Sequence, residues 1–206
     1  MLFWIVFVIA IIPVLILFPI KLIGKKNLPK KQGFVLTCNH YSNLDPIMLD
    51  LCLKKKIRFI AKKELFGTKL KSWFMKKIGA FPVDRDKMDV STFKFALKTL
   101  KEEKVLGVFP EGTRNKTGSS ELQEVKSGAI VFAGKAEKTI VPAVLYKKSK
   151  LFRRNYLLVG EPIVLEAENM KKMTQEEIDN NTKRLTDAMN KLREDFESNR
   201  KKKKEQ

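Results

Sequence analysis

The 206-residue sequence is poor in the side chains that bind metals or form disulfides. It contains one histidine and two cysteines, Cys38 and Cys52, with no CxxC motif and no Cys/His cluster. A structural zinc site needs about four such ligands close together, so no metal site is expected. Both cysteines lie among apolar residues. We therefore expect free, buried and reduced thiols of the kind found in cytosolic proteins.

Charged side chains are absent from residues 1–20. A helix of about 20 apolar residues is long enough to cross a hydrocarbon core of roughly 30 Å. A secretory signal would normally have a basic region before the apolar run and a small-residue cleavage site after it, and neither is visible here. We therefore predict an N-terminal hydrophobic membrane-anchoring helix within residues 1–24. Pro13 leaves open whether this helix spans the bilayer or re-enters it.

Negative charge is also scarce, because 23 Asp and Glu residues stand against 42 Lys and Arg residues, for a formal net charge of +19. This excess indicates an anionic partner, which is a phospholipid surface, nucleic acid or a phosphorylated substrate. No nucleic-acid-binding motif or aromatic platform is recognisable. Lysines behind the apolar run predict that the rest of the chain lies on the cytosolic side of the cell membrane. These are Lys21, Lys25, Lys26, Lys30 and Lys31.

Short apolar runs alternate with segments of helical spacing in the rest of the chain. Residues 34–38 and 105–109 are typical of buried strands, whereas residues 90–100 carry apolar side chains at helical intervals. This alternation predicts an α/β domain over residues 25–198, with a mixed, mostly parallel sheet flanked by helices.

The C-terminal part of this domain has the pattern of a long amphipathic helix that ends near Ser198. Thr174 and Glu177 have the spacing of a capping box at the start of this helix. Residues 199–206 are rich in lysine, and we predict that they form a disordered basic tail.

The single histidine, His40, follows the predicted strand at residues 34–38 and precedes the pair Asp45-Pro46. This pair predicts the start of a helix, with the aspartate as its N-cap. In α/β proteins, ligands bind at the carboxyl ends of the strands. Neutral imidazole accepts a proton near pH 7, and a carboxylate on its far nitrogen fixes the tautomer. His40 and Asp45 are thus a candidate base and orienting acid. The alternative is a surface histidine beside an aspartate that only caps a helix.

Polar or charged side chains directly follow three further apolar runs. Lys62, Arg85 and the group Glu111, Gly112 and Arg114 each come after such a run. Arginine matches phosphate with a planar fork, lysine adds a point charge, and glycine lets the backbone approach a ligand. Recurrence at strand ends favours one shared crevice over separate solvated loops.

Four blocks of the sequence resemble those of the glycerolipid acyltransferases, most closely the bacterial 1-acyl-sn-glycerol-3-phosphate acyltransferases. Residues 39–46 (Asn-His-Tyr-Ser-Asn-Leu-Asp-Pro) are similar to the first block and residues 109–114 (Phe-Pro-Glu-Gly-Thr-Arg) to the third. Residues 81–85 (Phe-Pro-Val-Asp-Arg) resemble the second block, with a small departure at their first two positions. Residues 141–143 (Val-Pro-Ala) resemble the fourth.

The resemblance implies an acyl transfer to the sn-2 hydroxyl of 1-acyl-sn-glycerol 3-phosphate, which makes phosphatidic acid for phospholipid biosynthesis. His40 would be the general base on that hydroxyl, and Asp45 would orient it. Acyl-CoA or acyl-ACP would be the co-substrate, with no bound cofactor and no covalent acyl-enzyme.

The resemblance also implies the residues that bind the acceptor. Three cations would hold its phosphate, and two residues of the third block would shape the pocket. The cations are Lys62, Arg85 and Arg114, and the two pocket residues are Glu111 and Gly112.

Two alternatives stay open at this point. An enzyme of the same kind would acylate another lysophospholipid or glycerol 3-phosphate itself. A non-enzymatic basic protein would bind anionic lipid without chemistry, although such a protein has no need of a histidine, an acid and arginines at strand ends. Acyl carrier protein and an anionic membrane are the expected macromolecular partners.

Overall fold

The structure is a computed structural model that describes residues 16–30, 32–83, 90–117 and 121–202. Within this part of the chain, seven strands form one sheet, and five α-helices pack on it. The strands are β1 (Ile20–Ile23), β2 (Val35–Cys38), β3 (Ile57–Lys62), β4 (Ala80–Val83), β5 (Val105–Val108), β6 (Ile140–Leu145) and β7 (Asn155–Val159). The helices are α1 (Asp45–Leu53), α2 (Lys69–Lys77), α3 (Val90–Lys101), α4 (Gly128–Ala136) and α5 (Gln175–Lys202).

The sheet has the strand order β1-β7-β6-β2-β5-β3-β4. The five strands β2 to β6 run parallel to one another, β7 is antiparallel to β6, and β1 is parallel to β7. The prediction of an α/β fold with a mixed, mostly parallel sheet is therefore confirmed. Because strands β2 to β6 all end at the same side, the residues that follow them meet there, and we call this side the C-terminal edge.

The sheet is buried on both faces, as parallel sheets generally are. Leu36 packs on one face with Leu49 of α1, whereas its neighbour Val35 packs on the other face with helices α3, α4 and α5. Successive strand residues alternate between the faces, so apolar runs without polar interruption are what this sheet requires.

Strand β1 lies inside the range that the sequence assigns to the membrane anchor. Ile20–Ile23 pair with β7 in parallel register, so these four residues belong to the sheet. Residues 1–15, which carry most of the apolar run, lie outside the described residues. Among the helices that the structure describes, none has both the length and the apolar character needed to cross a bilayer.

Helix α5 begins with the predicted capping box and ends later than predicted. The Glu177 amide donates to Thr174 Oγ1 over 3.2 Å, and the Thr174 amide donates to Glu177 Oε2 over 2.7 Å, which confirms the box. The prediction of a disordered tail from residue 199 is wrong for residues 199–202, which continue the helix. Basic side chains are favourable there because the C-terminal end of a helix carries partial negative charge.

Both cysteines are free, and burial raises their thiol pKa values. Cys38 is fully buried within β2, whereas Cys52 of α1 is only partly buried and has its pKa raised to about 11. Thiols with such raised pKa values are weak nucleophiles at neutral pH, so neither one competes with His40 for a catalytic role.

We expect Asp50→Asn to flatten the pH dependence of stability. Asp50 of α1 accepts a hydrogen bond from the Ile57 amide over 2.9 Å, and burial raises the pKa of its carboxyl to about 7. The folded state therefore binds more protons than the unfolded state between about pH 4 and pH 7, and the free energy of unfolding falls as the pH rises through this window.

The asparagine keeps an acceptor for the Ile57 amide and removes the buried charge. Thermal unfolding is measured for both proteins at pH 5 and pH 8. We expect Asp50→Asn to have a higher melting temperature than the wild type at pH 8 and nearly the same melting temperature at pH 5. Asp187→Asn, at an exposed position on α5, is the control. Parallel behaviour of the wild type and Asp50→Asn across this range would contradict the assignment.

Candidate active site

The site forms where β2 and β5 end side by side. Thr37 of β2 and Val108 of β5 are partners in the ladder. His40 and Glu111 each follow three residues later, so the two chains leave the sheet at the same height and their loops meet. The first and third sequence blocks, which are about 70 residues apart in the chain, are thereby brought together at the C-terminal edge.

His40 and Asp45 form a buried pair. His40 Nδ1 lies 2.8 Å from Asp45 Oδ2, and the same oxygen accepts hydrogen bonds from the backbone amides of Tyr41 and Ser42, each over 2.7 Å. Asp45 is completely buried, and His40 is 9% exposed. Three donors converging on one carboxylate oxygen leave the ring of His40 a single orientation.

The prediction that Asp45 caps helix α1 is wrong. Leu44 is the N-cap, Asp45 is the first helical residue, and no side chain makes a cap hydrogen bond. The carboxylate points back to the preceding loop because that loop supplies its three donors. Pro46, which the sequence predicts at the first helical position, is the second residue of the helix, still within the first turn, where a proline is tolerated.

The imidazole of His40 stands at the end of an aromatic stack. Its ring lies 3.9 Å from the ring of Phe109 at an interplanar angle of 15°, and Phe109 stacks in turn on Phe59 at 5.5 Å. Since Nδ1 faces Asp45, Nε2 is the ring nitrogen that is left for a ligand. Within the described residues, Nε2 has no hydrogen-bond partner, which suits a nitrogen that accepts a proton from a substrate.

Glu111 supports the backbone of His40. Its Oε1 accepts from the His40 amide over 2.9 Å, and its Oε2 accepts from the Gln123 amide over 3.2 Å. The His40 carbonyl accepts from the Asn115 amide over 2.7 Å, so the loop of the third block holds His40 on both sides. Glu111 is buried, and this burial raises the pKa of its carboxyl.

This geometry gives Glu111 a positioning role, whereas the resemblance implied that Glu111 helps to shape the pocket for the substrate phosphate. Sequence reasoning missed the parts played by Gln123 and Asn115, since neither stands directly at a strand end. It also passed over Asn39, whose side chain bonds both backbone groups of Leu145 at 3.0 and 2.7 Å. This bridge extends the pairing of β2 with β6 up to the residue before His40.

Gly112 occupies a backbone conformation that favours glycine. Its φ is +68°, in the left-handed region, and its amide donates to the Phe109 carbonyl over 3.0 Å. The chain thus turns sharply after Phe109, directly beside the ring that stacks on His40. A side chain at Gly112 would strain this turn.

The structure places two of the three predicted cations near His40. Lys62 ends β3 and lines the same cavity as His40. Arg114 is exposed and directly precedes Asn115, whose amide contacts His40. No carboxylate of the described residues forms an ion pair with Lys62 or with Arg114, so both charges are available to a ligand. Arg85 lies outside the described residues.

An apolar cavity of about 650 Å³ opens beside His40. Its volume lies within the range of roughly 300–1,000 Å³ that is typical of small-molecule sites. Helix α2 and the short helix at Lys63–Phe66 form one wall, and strands β3 and β4 form the other. The apolar residues of its lining include Ile47, Phe59, Ala61, Leu65, Leu70, Trp73, Phe74, Ile78, Ala80 and Phe109.

A parallel α/β sheet with a buried histidine–aspartate pair at its C-terminal edge, next to an apolar cavity, has the features of an enzyme that acts on lipids. The sequence model of the acyltransferase family matches residues 19–146, more than half of the chain, and the protein belongs to this family. The resemblance inferred from the four blocks is thereby confirmed.

Several relatives carry the same enzyme name. The 1-acyl-sn-glycerol-3-phosphate acyltransferase of Bacillus subtilis is 40% identical over 154 residues, which cover 70% of this chain and 73% of that protein. The Streptococcus pneumoniae enzyme of this name is 29% identical over 80% of this chain and 62% of its own length. The crystal structure of the 1-acyl-sn-glycerophosphate acyltransferase from Thermotoga maritima is similar in fold, with a TM-score of 0.63 at 23% identity over 85% of this chain and 71% of that one.

Proposed function

We propose that the protein transfers a fatty acyl group from an acyl thioester to the sn-2 hydroxyl of 1-acyl-sn-glycerol 3-phosphate, which yields phosphatidic acid. The observation that carries this proposal is the His40–Asp45 pair, which lies on an apolar cavity and has one ring nitrogen free for a hydroxyl. The names of the bacterial relatives support the identity of the acceptor.

In this reaction His40 acts as the general base. Nε2 takes the proton of the sn-2 hydroxyl while its oxygen attacks the thioester carbonyl. The new C–O ester bond forms, the C–S bond breaks, and the imidazolium returns the proton to the departing thiolate. Asp45 holds Nδ1–H, which keeps Nε2 unprotonated before the attack and stabilises the imidazolium after it. Direct transfer of this kind needs no bound cofactor and no metal.

The phosphate of the acceptor binds to the cations around the pair. Lys62 and Arg114 are the described candidates, since both are exposed near His40 and neither has an acidic partner among the described residues. Arg85, in the block that resembles the family's second motif, is the third. Gly112 keeps the loop next to the phosphate free of a side chain.

The acyl group occupies the apolar cavity. A fatty chain buries only apolar surface, and about 25 cal/mol is gained for each Å² of such surface removed from water. Lys62 and Lys71, which also line the cavity, are placed to face water or a head group. The thioester carrier, coenzyme A or acyl carrier protein, then stays outside the cavity.

The test is an acyl-transfer assay with the purified full-length chain in detergent. Labelled 1-acyl-sn-glycerol 3-phosphate is supplied with acyl-CoA or with acyl-ACP, and products are separated by lipid class. Glycerol 3-phosphate and lysophosphatidylcholine serve as competing acceptors. Phosphatidic acid as the main product supports the proposal, and preferential acylation of another acceptor refutes it. If neither donor gives an acylated product, the result favours the non-enzymatic lipid-binding alternative. Membership of the acyltransferase family argues against this alternative.

We expect Arg114→Ala to raise the apparent KM for 1-acyl-sn-glycerol 3-phosphate about ten-fold or more, because a lost charge-assisted hydrogen bond costs roughly 1.5–3 kcal/mol. The KM for the thioester changes little. Arg114→Lys restores only part of the loss if the contact is bidentate. Lys116→Ala, at an exposed position in the same loop, is the matched control. Equal changes in both KM values would show that Arg114 supports the fold or binds the carrier.

The protein works at the cytosolic face of the cell membrane in this proposal. Its support is the net charge of +19, the apolar run at residues 1–20 and the membrane location of the acceptor lipid.

A further inference from the structure

The loop between β6 and β7 combines exposed apolar and basic side chains. We call residues 147–154 the basic loop. Leu151 and Phe152 are 53% and 74% exposed, which is unusual for two adjacent large apolar side chains. Five of the eight residues are cations, all of them exposed. They are Lys147, Lys148, Lys150, Arg153 and Arg154.

The basic loop is held in one shape by Asn155, the buried first residue of β7. Its side-chain amide donates to the carbonyls of Lys150 and Arg153, and its Oδ1 accepts from the Lys150 amide over 3.0 Å. The Phe152 amide donates to the Leu17 carbonyl over 2.7 Å. These hydrogen bonds fix the backbone at the exposed tip of the loop. Binding of the tip to another surface therefore costs little conformational entropy of the backbone.

Phe152 adopts a φ of +55°, in the left-handed region that a bulky aromatic residue rarely occupies. A strained aromatic residue that points into solvent contributes little to the stability of the isolated domain. A role in contacting another surface gives this conformation a physical reason.

The basic loop lies at the same edge of the sheet as His40. Strand β6 ends at this edge, and β7 starts from it because β7 is antiparallel to β6. Strand β1 starts there too, so Ile16, which is 65% exposed, lies at the same edge. On the other side of His40, Leu70 and Trp73 of α2 are 74% and 43% exposed at the rim of the apolar cavity.

The positive charge at this edge of the sheet indicates an anionic partner. No carboxylate of the described residues forms an ion pair with any cation of the basic loop, whereas the exposed lysines Lys104, Lys171 and Lys183 all have acidic partners. Unpaired cations around an apolar tip match a layer of anionic head groups above hydrocarbon. A protein partner would need a groove on its own surface to receive Leu151 and Phe152, whereas a bilayer needs none.

We propose that the C-terminal edge docks on an anionic phospholipid bilayer, with Leu151 and Phe152 inserted below the head groups and Leu70 and Trp73 as a second contact. The cavity beside His40 then opens toward the bilayer, and acyl chains reach it without crossing water. This docking rests on the proposed function only for the identity of the lipid that enters.

The test measures insertion with single tryptophans. The chain has two tryptophans, Trp4 and Trp73. In the full-length Trp4→Phe, Trp73→Phe background, Phe152→Trp places a reporter at the tip of the basic loop, and Val164→Trp places a control. Val164 is 63% exposed and follows Ile163, which pairs with the first residue of β6, so it lies at the opposite edge of the sheet. Trp4→Phe alone reports on Trp73.

On vesicles of phosphatidylcholine and phosphatidylglycerol with brominated acyl chains, we expect the emission of the position-152 reporter and of Trp73 to shift to the blue and to be quenched. The position-164 reporter shows neither change. Equal behaviour of the reporters at 152 and 164 overturns the proposal. A blue-shifted reporter at 152 that is shielded from acrylamide before vesicles are added also overturns it, because this chain's N-terminal segment or a second copy then covers the loop.

The activity of a charged variant separates docking from chemistry. Leu151→Glu with Phe152→Glu lowers acylation of substrate embedded in vesicles on the order of ten-fold or more, because burial of two such side chains is lost. Turnover in detergent micelles stays at the wild-type value, and Val164→Glu affects neither assay. An equal loss in micelles would overturn docking as the role of the loop, whereas absence of activity in the wild type would refute the proposed function alone.

Discussion

Replacement of His40 by alanine is expected to lower kcat by about 10²- to 10⁴-fold, the contribution that a positioned general base typically makes. The KM values for acceptor and thioester change little, because the cations and the apolar cavity that bind them are untouched. The measurement is steady-state turnover in detergent with 1-acyl-sn-glycerol 3-phosphate and the donor that proves active.

The fold of this variant is checked by circular dichroism and thermal unfolding. Asp45→Asn is the informative companion, because an amide oxygen still accepts from the amides of Tyr41 and Ser42 but does not stabilise an imidazolium. We expect a smaller loss of kcat than for His40→Ala. A folded His40→Ala enzyme with near wild-type turnover would refute the mechanism and leave the buried pair a structural feature.

Glu111→Ala is expected to lower both stability and turnover. In the wild type, the Glu111 carboxylate accepts hydrogen bonds from the backbone amides of His40 and Gln123. The substitution leaves both amides without this acceptor. A buried donor without a partner costs about 1–3 kcal/mol, so the two together account for about 2–6 kcal/mol of the free energy of unfolding. Turnover falls because the backbone of His40 loses one of the two contacts that hold it.

Urea unfolding and turnover, measured on the same preparation, distinguish positioning from substrate binding. Glu111→Gln keeps one carbonyl oxygen for the His40 amide but presents an NH₂ group to the Gln123 amide, so an intermediate loss of stability and a smaller loss of kcat are expected. If Glu111→Ala instead raised only the KM for the acceptor and left stability unchanged, Glu111 would have the substrate-binding role that the sequence first suggested.

The strands and helices of the described chain were largely predictable from the sequence, because each depends on periodicity within a few residues. The capping box at Thr174 and Glu177 is an example, since both members lie in one helical turn. The His40–Asp45 pair was predictable for a related reason. The two residues are only five positions apart, and a strand before them and a helix after them limit the distance between their side chains.

The direction of the Asp45 carboxylate was decided by the tertiary structure. The sequence alone allowed a helix cap as readily as a histidine partner, and only the folded loop brings the amides of Tyr41 and Ser42 to the carboxylate. The sequence also did not predict that Ile20–Ile23 form a strand of the sheet. Four apolar residues at the end of an apolar run give no local sign that β7 lies beside them.

The sequence by itself determined the chemical inventory of this protein: one histidine near an aspartate, polar residues after apolar runs, and a large excess of positive charge. The tertiary structure alone decided what Glu111 holds, where the apolar cavity lies and which edge carries the basic loop. The physical reason is that these features depend on strand order and on contacts between residues 70 or more positions apart, such as Glu111 with His40 and Asn39 with Leu145. Local periodicity carries no information about which strands become neighbours.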